Sequence, residues 1–127
     1  MAPLIVLIVD DAPLLRQRLK ERLERIDGAM IIGQAEDVQG GIDAFRTLTP
    51  DAVILDIQMP GGTGIDVLEK IKRERPGTVV IMLTNYPMPQ LMKKSHQAGA
   101  DYFFDKCSEF ESAIRVIREL TIRREPA

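Results

Sequence analysis

The sequence predicts an α/β fold: a doubly wound parallel sheet of five strands, each followed by a helix. Three observations carry that expectation. Short, continuous runs rich in β-branched residues recur without polar alternation, as in strands covered on both faces. Longer segments between them place apolar residues at helical spacing. Five such units follow one another with no repeat, low-complexity segment or internal linker, which implies parallel strands joined by helical crossovers.

The first run is Leu4-Ile-Val-Leu-Ile-Val9. In the helix after it, Leu15, Leu19, Leu23 and Ile26 share one face, while Arg16, Lys20, Arg22 and Glu24 lie largely off it. Pro13 suits the helix start, where its missing N–H costs nothing, and Gly28 follows the end. Met30–Gly33 is the second run, with a helix over about 38–48. Ala52-Val-Ile-Leu55 is the third; a mobile-looking Met59-Pro-Gly-Gly-Thr-Gly64 loop and a helix over about 64–74 follow. Thr78–Leu83 and a helix over about 88–98 form the fourth unit. Tyr102–Phe104 and a helix over about 108–123 form the fifth, where Phe110, Ala113, Ile114, Ile117 and Leu120 repeat at three- and four-residue steps. Pro76-Gly77 and Gly99 supply breaks, and only the tail from Arg123 to Ala127 reads as frayed. Five units fit the flavodoxin-like strand order 2-1-3-4-5 better than a six-stranded dinucleotide-binding sheet.

Composition narrows the function. The 127 residues suit one domain with one ordinary core, and 45% hydrophobic with 28% charged residues exclude a disordered chain. Seventeen basic against 19 acidic residues give a net charge of −2, too weak a field to drive nucleic-acid or membrane binding. One cysteine, Cys107, excludes an internal disulfide framework and Cys-rich zinc sites; one histidine, His96, excludes paired-imidazole sites. The opening apolar run lacks a basic flank, meets Asp10-Asp11, and is too short to span a bilayer. The expected setting is soluble and cytoplasmic, with no membrane or direct nucleic-acid partner.

In such a sheet, ligands bind beyond the carboxyl ends of the strands, where strand order reverses. The first strand ends in Asp10-Asp11, the third in Asp56, the fourth in Thr84-Asn85, and the fifth leads to Asp105-Lys106. Three carboxylates from the two strands flanking the switch point should converge, and without a cation they would repel one another. A hard divalent cation with oxygen ligands relieves this, and Mg²⁺ suits because it keeps waters that a phosphate can replace. Three carboxylates, one divalent ion and the Lys106 ammonium leave the pocket near neutral. A phosphoryl group could then be held by the metal, Lys106 and the Thr84 hydroxyl. Asp56, closing a fully apolar strand, is best placed as nucleophile, since a carboxylate can accept a phosphoryl group as a mixed anhydride without a separate base.

Asp10-Asp11, Asp56 followed by Met59-Pro60, Thr84 and Lys106, in their strand-end positions, resemble the receiver domain of two-component response regulators, the CheY-like fold. The resemblance runs from about Leu4 to Ile122, making residues 1–127 one receiver domain with no room for an output domain. It implies that Asp10, Asp11 and Asp56 bind Mg²⁺ with the backbone carbonyl of Gln58. It implies a phosphorylation-dependent switch rather than a metabolic enzyme: Asp56 takes a phosphoryl group from a histidine kinase or phosphotransfer protein and loses it slowly. Thr84 would swing toward that group, Lys106 would contact it, and Phe103 would change rotamer. The face formed by the fourth helix, fifth strand and fifth helix would present the result to a downstream protein. A monomer or a phosphorylation-dependent homodimer fits, with Tyr102, Leu91 and Arg115 as possible participants.

Four positions depart from the family pattern. Cys107 replaces a proline that commonly follows the lysine through a cis peptide; before a non-proline residue that bond costs about 2.5–4 kcal/mol and is disfavoured unless the site enforces it. Asn85 replaces a small residue, Phe103 lacks a hydroxyl, and Asp105 adds a carboxylate expected to point away. Taken singly, the motif residues have plainer readings: Asp10-Asp11 as a helix cap, Asp56 as a turn residue, Thr84 as a strand end, Lys106 as a solvated cation. His96 reads as a surface residue, Cys107 as a packed small residue, and Met82, Met88 and Met92 as core, the last two alternatively as partner surface. Arg115, Arg118, Arg123 and Arg124 read as a solvated helix face and tail. Two alternatives remain: a phosphate-independent docking module, and an aspartyl-phosphate phosphohydrolase. Phosphohydrolases of the haloacid-dehalogenase type carry a second aspartate where this chain has Gln58.

Overall fold

A computed structural model describes residues 2–85 and 87–124. Its elements are β1 (Leu4–Val9), α1 (Pro13–Glu24), β2 (Ala29–Ala35), α2 (Val38–Leu48), β3 (Ala52–Leu55), α3 (Gly64–Glu74), β4 (Val79–Thr84), α4 (Pro89–Gln97), β5 (Tyr102–Asp105) and α5 (Phe110–Arg124). All five strands pair in parallel, in the expected order β2-β1-β3-β4-β5. Among the described residues, no helix is long and apolar enough to cross a membrane.

Successive strand residues face opposite sides of the sheet, so one apolar run feeds two core layers. Leu4, Val6 and Ile8 of β1 pack with Leu19 and Leu23 of α1 and with Phe110, Ile114 and Ile117 of α5. Leu7 and Val9 face the other way, toward Val38, Ile42 and Phe45 of α2 and Val67, Leu68 and Ile71 of α3. This is why β1, β3 and β4 carry no polar alternation. The α4 helix is the exception in depth: Ser95 is its only buried residue, while Leu91 is half-buried against the second layer.

The structure corrects four local expectations. The β2 strand is longer than the Met30–Gly33 run; it is an edge strand, half-buried, with a register shift opposite Val6 and Leu7 that spoils its pattern. The loop from Met59 to Gly64 is built as a hairpin: Gln58–Met59 pairs antiparallel with Gly62–Thr63, turning through Gly61 (φ 87°) and Gly62 (φ 142°). These left-handed angles are why glycines stand there. The α5 helix starts at Phe110 rather than 108, because a turn closed by Glu109 N–H on the Asp105 carbonyl (2.8 Å) precedes it. It runs on through Arg124, so Arg123 and Arg124 are helical; residues 125–127 of the expected frayed tail lie outside the described residues.

Candidate functional site

Parallel pairing brings Val9 and Leu55 side by side, so the residues that follow them leave the sheet together. Asp56 N–H donates to the Val9 carbonyl (2.9 Å), and Asp10 N–H donates to Ala35 of β2 (2.9 Å). Carboxylate oxygens of Asp10, Asp11 and Asp56 lie within 4.8 Å of one another. From the other side, Lys106 N–H donates to the Thr84 carbonyl (2.8 Å), which anchors the residue after β5 to the last residue of β4. The Lys106 Nζ then reaches inward to Asp10 Oδ2 (2.7 Å) and Asp56 Oδ2 (3.2 Å). Asp10, Asp56 and Lys106 are 2%, 5% and 8% exposed and Thr84 is fully buried, whereas Asp11 stands at the solvent edge.

The charges in this pocket do not balance. Burial, and then the neighbouring Asp10 charge, push the Asp56 carboxyl up to about 6; Lys106 and the Ile57 N–H on Asp56 Oδ1 (2.8 Å) hold it back. One ammonium thus serves two buried carboxylates and a third nearby. The donor set is all oxygen, with His96 and Cys107 exposed and outside the cluster, so it fits a hard cation such as Mg²⁺ rather than zinc.

Two further residues hold the pocket. Gly64 opens α3 directly against the acceptor loop: its N–H donates to the Ile57 carbonyl (2.6 Å), and a Cβ there would fall 1.8 Å from the Asp56 carbonyl oxygen. In the sequence it read only as part of a glycine-rich loop. Arg16, read as a charged residue off the apolar face, folds back so that Nη1 donates to the Asp10 carbonyl (2.6 Å). Its place in the first turns of the helix after Asp10-Asp11 was the available signal.

The remaining candidates are spread around the pocket. Phe103 is half-buried on β5, beside a cavity of about 510 Å³ that Met92 and His96 also line. Gln58 is exposed and opens the short hairpin. Asn85 is exposed. Asp105 Oδ1 accepts the Cys107 N–H (2.7 Å), shaping the turn into α5. That turn carries the Cys107 side chain into solvent, so it is not the packed residue expected; among the described residues no peptide bond is cis. Met82 is in the core, but Met88 and Met92 are 51% and 43% exposed on or beside the shallow α4. Arg115, Arg118 and Arg123 are exposed, as expected.

A family model described as the response regulator receiver domain matches residues 6–118. The response regulator GacA of Pseudomonas aeruginosa is 31% identical over 115 residues, covering 91% of this chain and 54% of the relative. The chain spans about half the length of that and the other leading curated relatives. A CheY-like receiver domain protein from Methanospirillum hungatei superposes with a TM-score of 0.86 at 27% identity, over 96% of each chain. The Borrelia burgdorferi CheX–CheY complex with BeF₃ and Mg²⁺ matches with a TM-score of 0.84 at 28% identity, over 98% of this chain and 92% of that one. Receiver domains of this family are regulatory, bind Mg²⁺ at an acidic pocket and receive phosphate from histidine kinases. By its sequence, its strand order and its converging carboxylates, the chain belongs to the response regulator receiver domain family.

Proposed function

We propose that the chain is a phosphorylation-dependent signalling switch whose acceptor is Asp56. One observation carries this reading: a buried carboxylate at the end of a central strand shares a single ammonium, Lys106, with a second buried carboxylate. Asp10, Asp11 and Asp56 would hold Mg²⁺, with the Gln58 backbone carbonyl as a further ligand. When bound, the ion offsets the excess carboxylate charge and the charge of an arriving phosphoryl group. The Borrelia burgdorferi complex, which contains Mg²⁺, supports that choice of ion.

Asp56 attacks phosphorus, a P–O bond forms, and the P–N bond of a phosphohistidine on a histidine kinase or phosphotransfer protein breaks with its electron pair leaving on nitrogen. Lys106 provides the fixed positive charge beside the new group. Thr84, ending β4 next to this pocket, and Phe103, half-buried within β5, carry the change outward. The surface of α4, β5 and α5 then meets a downstream protein, with Met88 and Met92 at its edge, as a monomer or a phosphorylation-dependent homodimer. Residues 1–127, with a core over about 4–122, form one receiver domain acting in the cytoplasm. It turns over its phosphoryl group only slowly, as a regulator does.

Incubation with acetyl phosphate and Mg²⁺, followed by intact-mass measurement, tests this. One phosphoryl group should add to the wild type, none to Asp56→Asn, and none when Mg²⁺ is chelated. An equal adduct on Asp56→Asn would overturn the assignment of Asp56.

A further inference from the structure

We infer that Arg16 is a positioning residue for the cation pocket, fixing the peptide that joins Asp10 to Asp11; this rests on reading Asp10, Asp11 and Asp56 as the cation site. The β1 ladder ends at Val9, so the Asp10 carbonyl has left the sheet and needs a partner of its own. Arg16 supplies it, with Nη1 donating at 2.6 Å. The guanidinium is anchored in turn to the end of β2 and the residue after it: Nε donates to Gln34 Oε1 (3.3 Å), and Nη2 lies 4.0 Å from Glu36 Oε2. Its side chain is 15% exposed, far more enclosed than the 72% of its partner Glu36.

Asp10 is thereby held on every side. Ala35 accepts its N–H, Arg16 donates to its carbonyl, Ala12 N–H donates to Oδ1 (2.8 Å), and Lys106 pairs with Oδ2. Asp11 differs, because its carboxylate is exposed and the structure gives it no hydrogen bond or ion pair among the described residues. What keeps its oxygen within ligand distance of Asp10 and Asp56 is the orientation of its own backbone. That orientation is set by the peptide whose oxygen Arg16 grips. Arg16 touches neither the cation ligands' carboxylates nor an incoming phosphoryl group; it acts through the Asp10 carbonyl.

Electrostatics and positioning make opposite forecasts for removing this side chain. As a bystander cation, Arg16 would repel a divalent ion, so its loss would tighten binding. As a positioning residue, its loss lets Asp11 drift and weakens binding by about tenfold, the lower end of the cost of removing an outer-sphere partner. The test is calorimetric Mg²⁺ titration of the full chain as wild type, Arg16→Met and Arg16→Lys, with thermal melts of each without metal. Arg16→Met should bind Mg²⁺ about tenfold more weakly, and Arg16→Lys, which keeps a donor able to reach the carbonyl, should recover most of that loss. Amide resonances of Asp11 and Ala12 should move in metal-free Arg16→Met while those of the α3 and α5 cores stay put.

Binding by Arg16→Met as tight as, or tighter than, the wild type would overturn the inference and leave the proposed function standing. Equal weakening in Arg16→Met and Arg16→Lys would also overturn it, since the donor would then not matter. If Arg16→Met fails to fold, Arg16→Gln, which loses the charge and the reach to the carbonyl, takes its place: weaker Mg²⁺ binding than the wild type upholds the inference, and equal or tighter binding overturns it. A wild type that binds no Mg²⁺ at all would sink the proposed function, and the inference with it.

Discussion

At the scale of single residues, Asp56 answers to two opposed demands. As the proposed nucleophile it must be ionised, yet burial and the Asp10 charge push its carboxyl up to about 6. Without metal, the folded chain therefore holds a proton that the unfolded chain gives up nearer the ordinary value of 3.8. A group raised in this way stabilises the fold below the unfolded pKa and loses that contribution as pH rises through the folded one. Metal-free protein should accordingly lose stability to urea as pH climbs from about 4 to about 6. Asp56→Asn should flatten that slope and be the more stable protein at neutral pH. Gly64→Ala should cost about 3 kcal/mol in the same denaturation assay, because its methyl group has only backbone to displace. The convergence of Asp10, Asp11, Asp56 and Lys106 was legible in the sequence because their side chains stand at or just beyond strand ends. Gly64 and Arg16 were not, since both act on a peptide group and backbone contacts leave no residue-type signature.

At the scale of elements, α2 shows how its ends are set. Asp37 accepts the Gly40 N–H on its side chain (2.6 Å) at the start, while Thr49 closes the other end with a left-handed φ of 43°. Asp37→Ala should lower stability by about 1 kcal/mol. Thr49→Gly should raise it by about 0.5–1 kcal/mol, since a β-branched residue is strained in that conformation. Thermal or urea unfolding of the two variants would show the opposite signs. The strands at the centre of the sheet, β1 and β3, match their apolar runs residue for residue, because burial on both faces leaves no polar interruption. Where one edge is open the pattern weakens, as in β2 with its register shift. The hairpin at Gln58–Thr63 was hidden because its glycines mark turn angles and loops alike.

At the scale of the whole molecule, the two core layers are unequal. One face is closed by α1 and α5, which interlock through Arg22 paired with Glu111 and Arg18 lying 4.1 Å over the Phe110 ring. On the other face α2 and α3 are deeply set, but α4 buries only Ser95, whose hydroxyl has no hydrogen-bond partner among the described residues. Buried orphan hydroxyls are costly, and a helix with so shallow a seat opens easily. Amide hydrogen exchange should therefore find α4 exchanging at least tenfold faster than α3 or the α5 core, and uniform protection would contradict this ranking. In the proposed switch, α4, which lines a cavity with Phe103, is the element that small changes in the pocket would shift.

In the proposed reaction the phosphoryl group goes to Asp56. Sodium borohydride reduces an acyl phosphate to the alcohol and so turns a phosphorylated aspartate into homoserine. Protein freshly treated with acetyl phosphate and Mg²⁺, reduced in this way, digested and sequenced by tandem mass spectrometry, reports the acceptor directly. Homoserine at position 56, absent when phosphate donor or Mg²⁺ is withheld, is the expected result. Homoserine at Asp10, Asp11 or elsewhere, with Asp56 intact, would contradict it.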